Sequence, residues 1–209
     1  GTVDVLGSRY GQVDSREVRR RIGVSGSAVE GTLRGDLTPI TLVMTARHAA
    51  TEPWWHVYTD EDRDRAKDLL VGLGLASVAD HQYGTLSEGE RRRTSIARAL
   101  MPDPDLLLLD EPAASLDLGA REVLIGDVAH LADQERPKAI VLVTHHVEEI
   151  PSGFTHALIL SDGKLIAAGP LDSMVTNKNL SLAYELPIRV EHRDGRVWAR
   201  MRIDPRQRR

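Results

Sequence analysis

No cysteine occurs in the 209 residues, which removes disulfide scaffolds, thiolate metal sites and thiol nucleophiles together and suits a reducing compartment. Aromatic residues make up only 4% of the sequence, and 27 Lys and Arg stand against 31 Asp and Glu, a formal charge of −4. Such a chain offers neither a stacking platform nor a basic footprint, so no nucleic-acid partner is expected. No run approaches the roughly 18 apolar residues that a membrane-spanning helix needs, which excludes an integral helical membrane protein. What remains, 41% apolar and 28% charged, is the composition of an ordinary globular protein with ample length for a core. Residue 1 is Gly rather than Met and no signal-peptide pattern follows, so the true beginning of the protein is expected upstream.

Local pattern predicts an α/β chain. Residues 2–7 alternate like a strand, Asp14 and Glu17 offer a capping box for a short helix ending near Arg21, and residues 22–24 read as another strand. Gly, Ser and Thr dominate 25–36, which predicts a loop, with a helical region after it. Thr59 and Asp62 cap a helix whose Ala66, Leu69, Leu70 and Leu73 recur on one stripe, and Gly74 stops it. Two apolar runs, 106–109 and 140–143, fit strands buried on both faces of a parallel sheet. Leu116, Ala120, Leu124, Val128 and Leu131 between them keep helical spacing, giving a right-handed βαβ unit. Asp162-Gly163 and Asp194-Gly195 predict two-residue hairpins, and the polar tail at 204–209 is expected to fray.

Chemistry concentrates in three places. Ser87 precedes Glu88, Gly89 and Glu90, so Ser87 can cap a helix with Glu90 as its third residue, leaving a positive helix end that suits a phosphate; an ordinary capping box reads equally well from these residues alone. Asp110 and Glu111 end the first apolar run, where parallel sheets place their ligands. One such carboxylate can hold Mg²⁺ through water while its neighbour orients an attacking water. Ser115 and Asp117 follow, with Asp117 also readable as a plain N-cap. His145 and His146 end the second run, and His145 is placed to contact a terminal phosphate or the water. A zinc site is poorer, because adjacent histidines on a strand point to opposite faces and no third ligand has sensible spacing. Glu148 and Glu149 are expected to start the next helix, and His48, His56, His81, His130, His156 and His192 to be surface or core residues.

Taken in order, these motifs resemble ABC-type ATPases. Residues 86–90 are similar to the signature motif, with Glu88 and Glu90 where Gly and Gln are commoner; 106–111 resemble the Walker B strand and its glutamate, 114–117 the D-loop, and His145 the switch histidine. The resemblance implies a P-loop NTPase-like parallel sheet with a helical subdomain and C-terminal antiparallel hairpins. It divides the chain into core (1–25), helical subdomain ending in the signature helix (26–100), Walker B to switch-histidine core (101–169) and C-terminal extension (170–209). It further implies ATP and Mg²⁺ held between two head-to-tail subunits, homo- or heterodimeric. Ser87, Glu88, Gly89 and Glu90 would touch the partner's nucleotide, Ser115 and Asp117 would form the D-loop, Asp110 would sit at Mg²⁺ through water, Glu111 would polarise the attacking water and His145 would meet the γ-phosphate. Separate transmembrane permease subunits, and a cytoplasmic place at the inner face of the membrane, are expected with it. A non-catalytic or non-transport protein that lends its signature motif to an intact partner is the alternative.

Two departures accompany the resemblance. The phosphate-cradling G-x-x-x-x-G-K-[ST] loop is absent, the one Gly-Lys pair being Gly163-Lys164 in a hairpin turn. A chain begun after that loop is the expectation, and as it stands it should bind ATP poorly and fold marginally, lacking also a helix over the sheet. Where a Q-loop glutamine belongs the chain has Ser25-Gly26-Ser27, and neither Gln12 nor Gln82 fits. Trp54 and Trp55 lie in the stretch where the family meets its membrane partner, and simple packing explains them as well. No residue identifies a transported substrate.

Overall fold

In the computed structural model, which describes residues 1–202, the chain opens on a small hairpin rather than on the long strand expected at 2–7. β1 (Asp4–Val5) pairs antiparallel with β2 (Ser8–Arg9), because Leu6 and Gly7 both take positive φ and turn the chain at once. After α1 (Ser15–Arg20) comes β3 (Ile22–Gly26), two residues longer than predicted, and it runs straight into the short α2 (Ser27–Glu30). The supposed loop at 25–36 is thus ordered at its start: Ser25 is buried and its hydroxyl bonds Ser95 Oγ at 2.9 Å. That partner lies 70 residues away, out of reach of local pattern.

The helical region contains α3 (Pro39–Thr45), α4 (Asp60–Gly72) and α5 (Glu88–Leu100). Thr38 caps α3 by accepting from Thr41 N, with Pro39 at the first position, where its missing N–H costs nothing. α4 carries the expected Thr59–Asp62 capping box, and Gly74 at φ +67 reverses the chain beyond it. Leu42, Tyr83 and Leu86 form a small core beneath Leu33, Leu37 and Val78. Arg65 of α4 donates to the carbonyls of Met101 and Leu100, satisfying acceptors at the C-terminal end of α5.

β4 (Leu106–Asp110), α6 (Leu118–Ala132) and β5 (Ala139–Val143) complete the predicted βαβ unit. The sheet order is β3-β4-β5, all parallel, with Gly26 and Val143 both in register with Asp110. Helix α5 packs on β3 and β4, and Leu107 and Leu109 are fully buried, each contributing about 2–3 kcal/mol of apolar transfer. The opposite face corrects the expectation of burial on both sides. Val24, Val141 and Val143 remain 42%, 46% and 51% exposed.

The chain divides into two units, Gly1–Thr144 and a second starting at His145. In the second, a single 3-10 turn, Val147–Glu149, replaces the helix expected at Glu148 and Glu149. β6 (His156–Ser161) and β7 (Lys164–Pro170) form the first predicted hairpin, with Asp162 and Gly163 at φ 48 and 70. α7 (Leu171–Met174) and α8 (Asn177–Tyr184) lead to β8 (Ile188–Arg193) and β9 (Arg196–Met201), the second hairpin, turned by Asp194 and Gly195 at φ 53 and 72. Val175, Leu180 and Val197 are its core. The tail predicted to fray at 204–209 lies outside the described residues. Among the described residues no helix is long and apolar enough to cross a membrane.

Candidate functional site

At the carboxyl end of the central strand, Asp110 and Glu111 are both exposed. Glu111 continues the ladder by donating its N–H to Val143 O at 2.9 Å, yet its φ is +46, a left-handed conformation rare for a residue with a Cβ. Ser115 repeats this at φ +66, so the turn between strand and α6 holds two strained residues within five positions. Such strain persists where the surrounding structure over-determines it, and it clusters at reactive sites.

Gly26 was not singled out by sequence pattern, and it shapes this end of the sheet. A Cβ there would come within 2.9 Å of Asp110 Cβ and 3.2 Å of its carbonyl oxygen, so glycine lets β3 lie against Asp110 without displacing it. A glycine closing a strand directly before a charged neighbour in register is the only signal, and it is invisible until the pairing is known.

The N-terminus of α5 is built as the spacing required. Ser87 Oγ accepts from Glu90 N at 3.4 Å, and Glu90 Oε2 accepts from Ser87 N at 2.8 Å and from Ser87 Oγ at 2.7 Å. These bonds from Ser87 hold the Glu90 carboxyl below its ordinary range. Gly89 is buried, and a Cβ there would stand 3.1 Å from Ala120 Cβ, so the glycine brings the start of α5 against the first turn of α6. Asp117 caps α6 by accepting from Ala120 N at 2.8 Å. The signature-like and D-loop-like segments are therefore neighbours within one chain.

Because Glu90 titrates lower in the folded protein, its contribution is complete above the ordinary value of 4.5 and is lost as pH falls through the depressed folded value. Glu90→Gln keeps the cap geometry without the charge. It is expected to flatten the acid limb of a Tm-against-pH profile below about pH 4.5, and an unchanged slope would remove Glu90 from that role.

The run Arg91-Arg92-Arg93 is not a free basic patch. Arg91 donates to Gly84 O, Arg93 to Leu73 O and Gly89 O, and Arg92 pairs with Glu30 and Glu88. The histidines also differ from expectation. His145 opens the second unit, two residues beyond β5, and rather than pointing to opposite faces the rings of His145 and His146 lie 4.1 Å apart. Tyr184 Oη donates to His145 O at 2.7 Å.

No group of three or more His, Cys, Asp or Glu able to hold a metal occurs among the described residues. The donor set at Asp110 is one exposed carboxylate with Glu111 beside it. That does not suit a resident metal cage; it does suit Mg²⁺ that keeps its waters and arrives with phosphate oxygens.

The ABC transporter family model matches residues 1–114. The chain is 38% identical over 191 residues to the uncharacterized ABC transporter ATP-binding protein YlmA of Bacillus subtilis strain 168, covering 91% of this chain and 72% of that protein. It is 32% identical over 190 residues to the uncharacterized ABC transporter ATP-binding protein YmeB of Lactococcus lactis, covering 91% of this chain and 73% of YmeB. A dimeric ATP-binding cassette solved with ADP and Pi in a post-hydrolysis state superposes with a TM-score of 0.67 at 26% identity, over 82% of this chain and 73% of that one.

Proposed function

Because the chain belongs to the ABC transporter ATP-binding family, whose activity in the complete protein is that of an ABC-type ATPase, we propose that it couples ATP hydrolysis to solute transport in a head-to-tail dimer. The observation that carries the reading is Glu111, exposed at the carboxyl end of the central parallel strand, with φ +46 and its N–H donated to Val143 O. A carboxylate so placed can accept a proton from water as the oxygen attacks the γ-phosphorus. The bond to the β–γ bridging oxygen breaks, and ADP and inorganic phosphate leave. Asp110 would hold Mg²⁺ through water, and the ion, when bound, would offset phosphate charge. His145 would contact the γ-phosphate.

Ser87, Glu88, Gly89 and Glu90 would meet the nucleotide of a second ATPase subunit, with Ser115 and Asp117 as the D-loop between subunits. The partition at 1–25, 26–100, 101–169 and 170–209 is our functional reading of the chain. Transmembrane permease subunits are the further partners, which places the protein in the cytoplasm at the inner face of the membrane.

Ser87→Arg in the complete protein tests this. It puts a bulky cation where the partner's phosphate would sit, and Mg-ATP turnover is expected to fall by about 100-fold or more. Thermal unfolding run in parallel should show only the loss of one cap, about 1 kcal/mol. Undiminished turnover would overturn the assignment.

A further inference from the structure

Residue 88 brings a carboxylate to the first position of α5, the end that the proposed function offers to a phosphate. The structure shows what deals with it. Arg92, one turn along α5, pairs with Glu88 at 3.2 Å and with Glu30, the last residue of α2, at 2.6 Å. The Arg92 side chain is only 9% exposed and that of Glu30 12%, whereas Glu88 is 42% exposed. Glu30 therefore anchors the guanidinium from beneath, and Glu88 is the member of the cluster that faces water.

As a stabilising device this cluster is poor. Arg92 Nε and Glu30 Oε1 are buried without a hydrogen-bond partner, and a buried ion pair with unsatisfied atoms rarely repays its desolvation. Its geometry does something else. Helical side chains lean toward the N-terminus, so a guanidinium at i+4 lies beneath the carboxylate at i. Both that carboxylate and an incoming phosphate are drawn to the same unpaired N–H groups of the helix.

We propose that Arg92 is a positioning residue for the signature end of α5: anchored by Glu30, it holds the Glu88 carboxylate and offsets its charge, so that this helix end can accept an anionic phosphate. The proposal rests on the reading of that end as the contact with the partner's nucleotide. It makes Glu88 tolerable only while Arg92 is present, and it links α2, at the end of the strand beside Asp110, to α5.

The test is the ATP dependence of turnover by the complete protein. Arg92→Gln is expected to raise KM for ATP about tenfold while kcat changes by less than about threefold, and Arg92→Lys to keep most of the wild-type affinity. Because Arg92→Gln strands the largely covered Glu30 carboxylate, Glu30→Gln/Arg92→Gln serves as a second variant that leaves no unpaired charge there, with the same rise in KM. Adding Glu88→Gly to either is expected to abolish the rise, leaving KM within about twofold of Glu88→Gly alone. An equal rise with and without Glu88→Gly, or a fall in kcat with KM unmoved, would overturn the proposal. Full turnover in Ser87→Arg would instead overturn the assignment beneath it, so the two failures are distinguishable.

Discussion

Glu111→Gln in the complete protein is expected to lower the rate of Mg-ATP hydrolysis by about a thousandfold while leaving ATP binding within about twofold, so that an ATP-bound dimer accumulates. The size of the loss is what a positioned general base contributes, about 10²–10⁴. Glutamine has the shape of glutamate and takes φ +46 with the same difficulty, so the backbone bond from residue 111 to Val143 O is retained and stability should not move. Single-turnover hydrolysis and ATP-dependent dimer formation, measured by light scattering, check the two halves separately. Glu111→Gly is the complement: it relieves the left-handed strain, is expected to unfold no more readily than wild type, and is equally inactive. Hydrolysis at the wild-type rate by Glu111→Gln would mean that the exposed carboxylate is not the group that activates water.

Gly23→Ala is expected to be the most damaging single methyl in the described fold. Its Cβ would stand 2.3 Å from Ala99 O and 3.1 Å from Leu107 Cδ1. The first of these is backbone, so no rotamer change relieves it, and β3 must part from α5. A loss of about 3 kcal/mol or more follows, a Tm lower by roughly 6–12 °C for a chain of this size. Gly126→Ala is the control: inside α6, with nothing within 4 Å of the added carbon, it should stabilise by about 0.5–1 kcal/mol. Denaturant unfolding of the pair separates the tertiary clash from helix propensity, and equal effects of the two would remove the close β3–α5 approach from the account.

These two positions differ in how far sequence reasoning reaches. Glu111 could be named as a candidate because a short apolar run ending in carboxylates has few explanations. Gly23 was not, because the atoms it avoids belong to Ala99 and Leu107, and no local pattern reports a contact made that far along the chain. The same division holds for the cluster around α5. The Ser87–Glu90 capping box joins residues three apart, and spacing alone predicted it. The fate of Glu88 required Glu30, which lies 62 residues from Arg92.

Caps, signalled turns and uninterrupted apolar patterns were legible in the sequence itself: the caps of α4, α5 and α6, the stop at Gly74, the Asp-Gly hairpins, the order of strand, helix and strand, and the place of Asp110 and Glu111 at a strand end. Only the tertiary structure decided that residues 2–7 turn back on themselves, that β3 runs on to Gly26, that β5 keeps one face exposed, that three arginines are consumed internally, and that the two histidine rings lie close together. The turn at Leu6-Gly7 and the contact of the adjacent histidine rings are local and still not legible, because leucine rarely takes positive φ and the histidines lie beyond the end of β5; for the others the reason is tertiary packing. Periodicity reports which face of an element is apolar, but what covers that face, and which buried charge meets which, depends on packing between segments that are far apart in the chain.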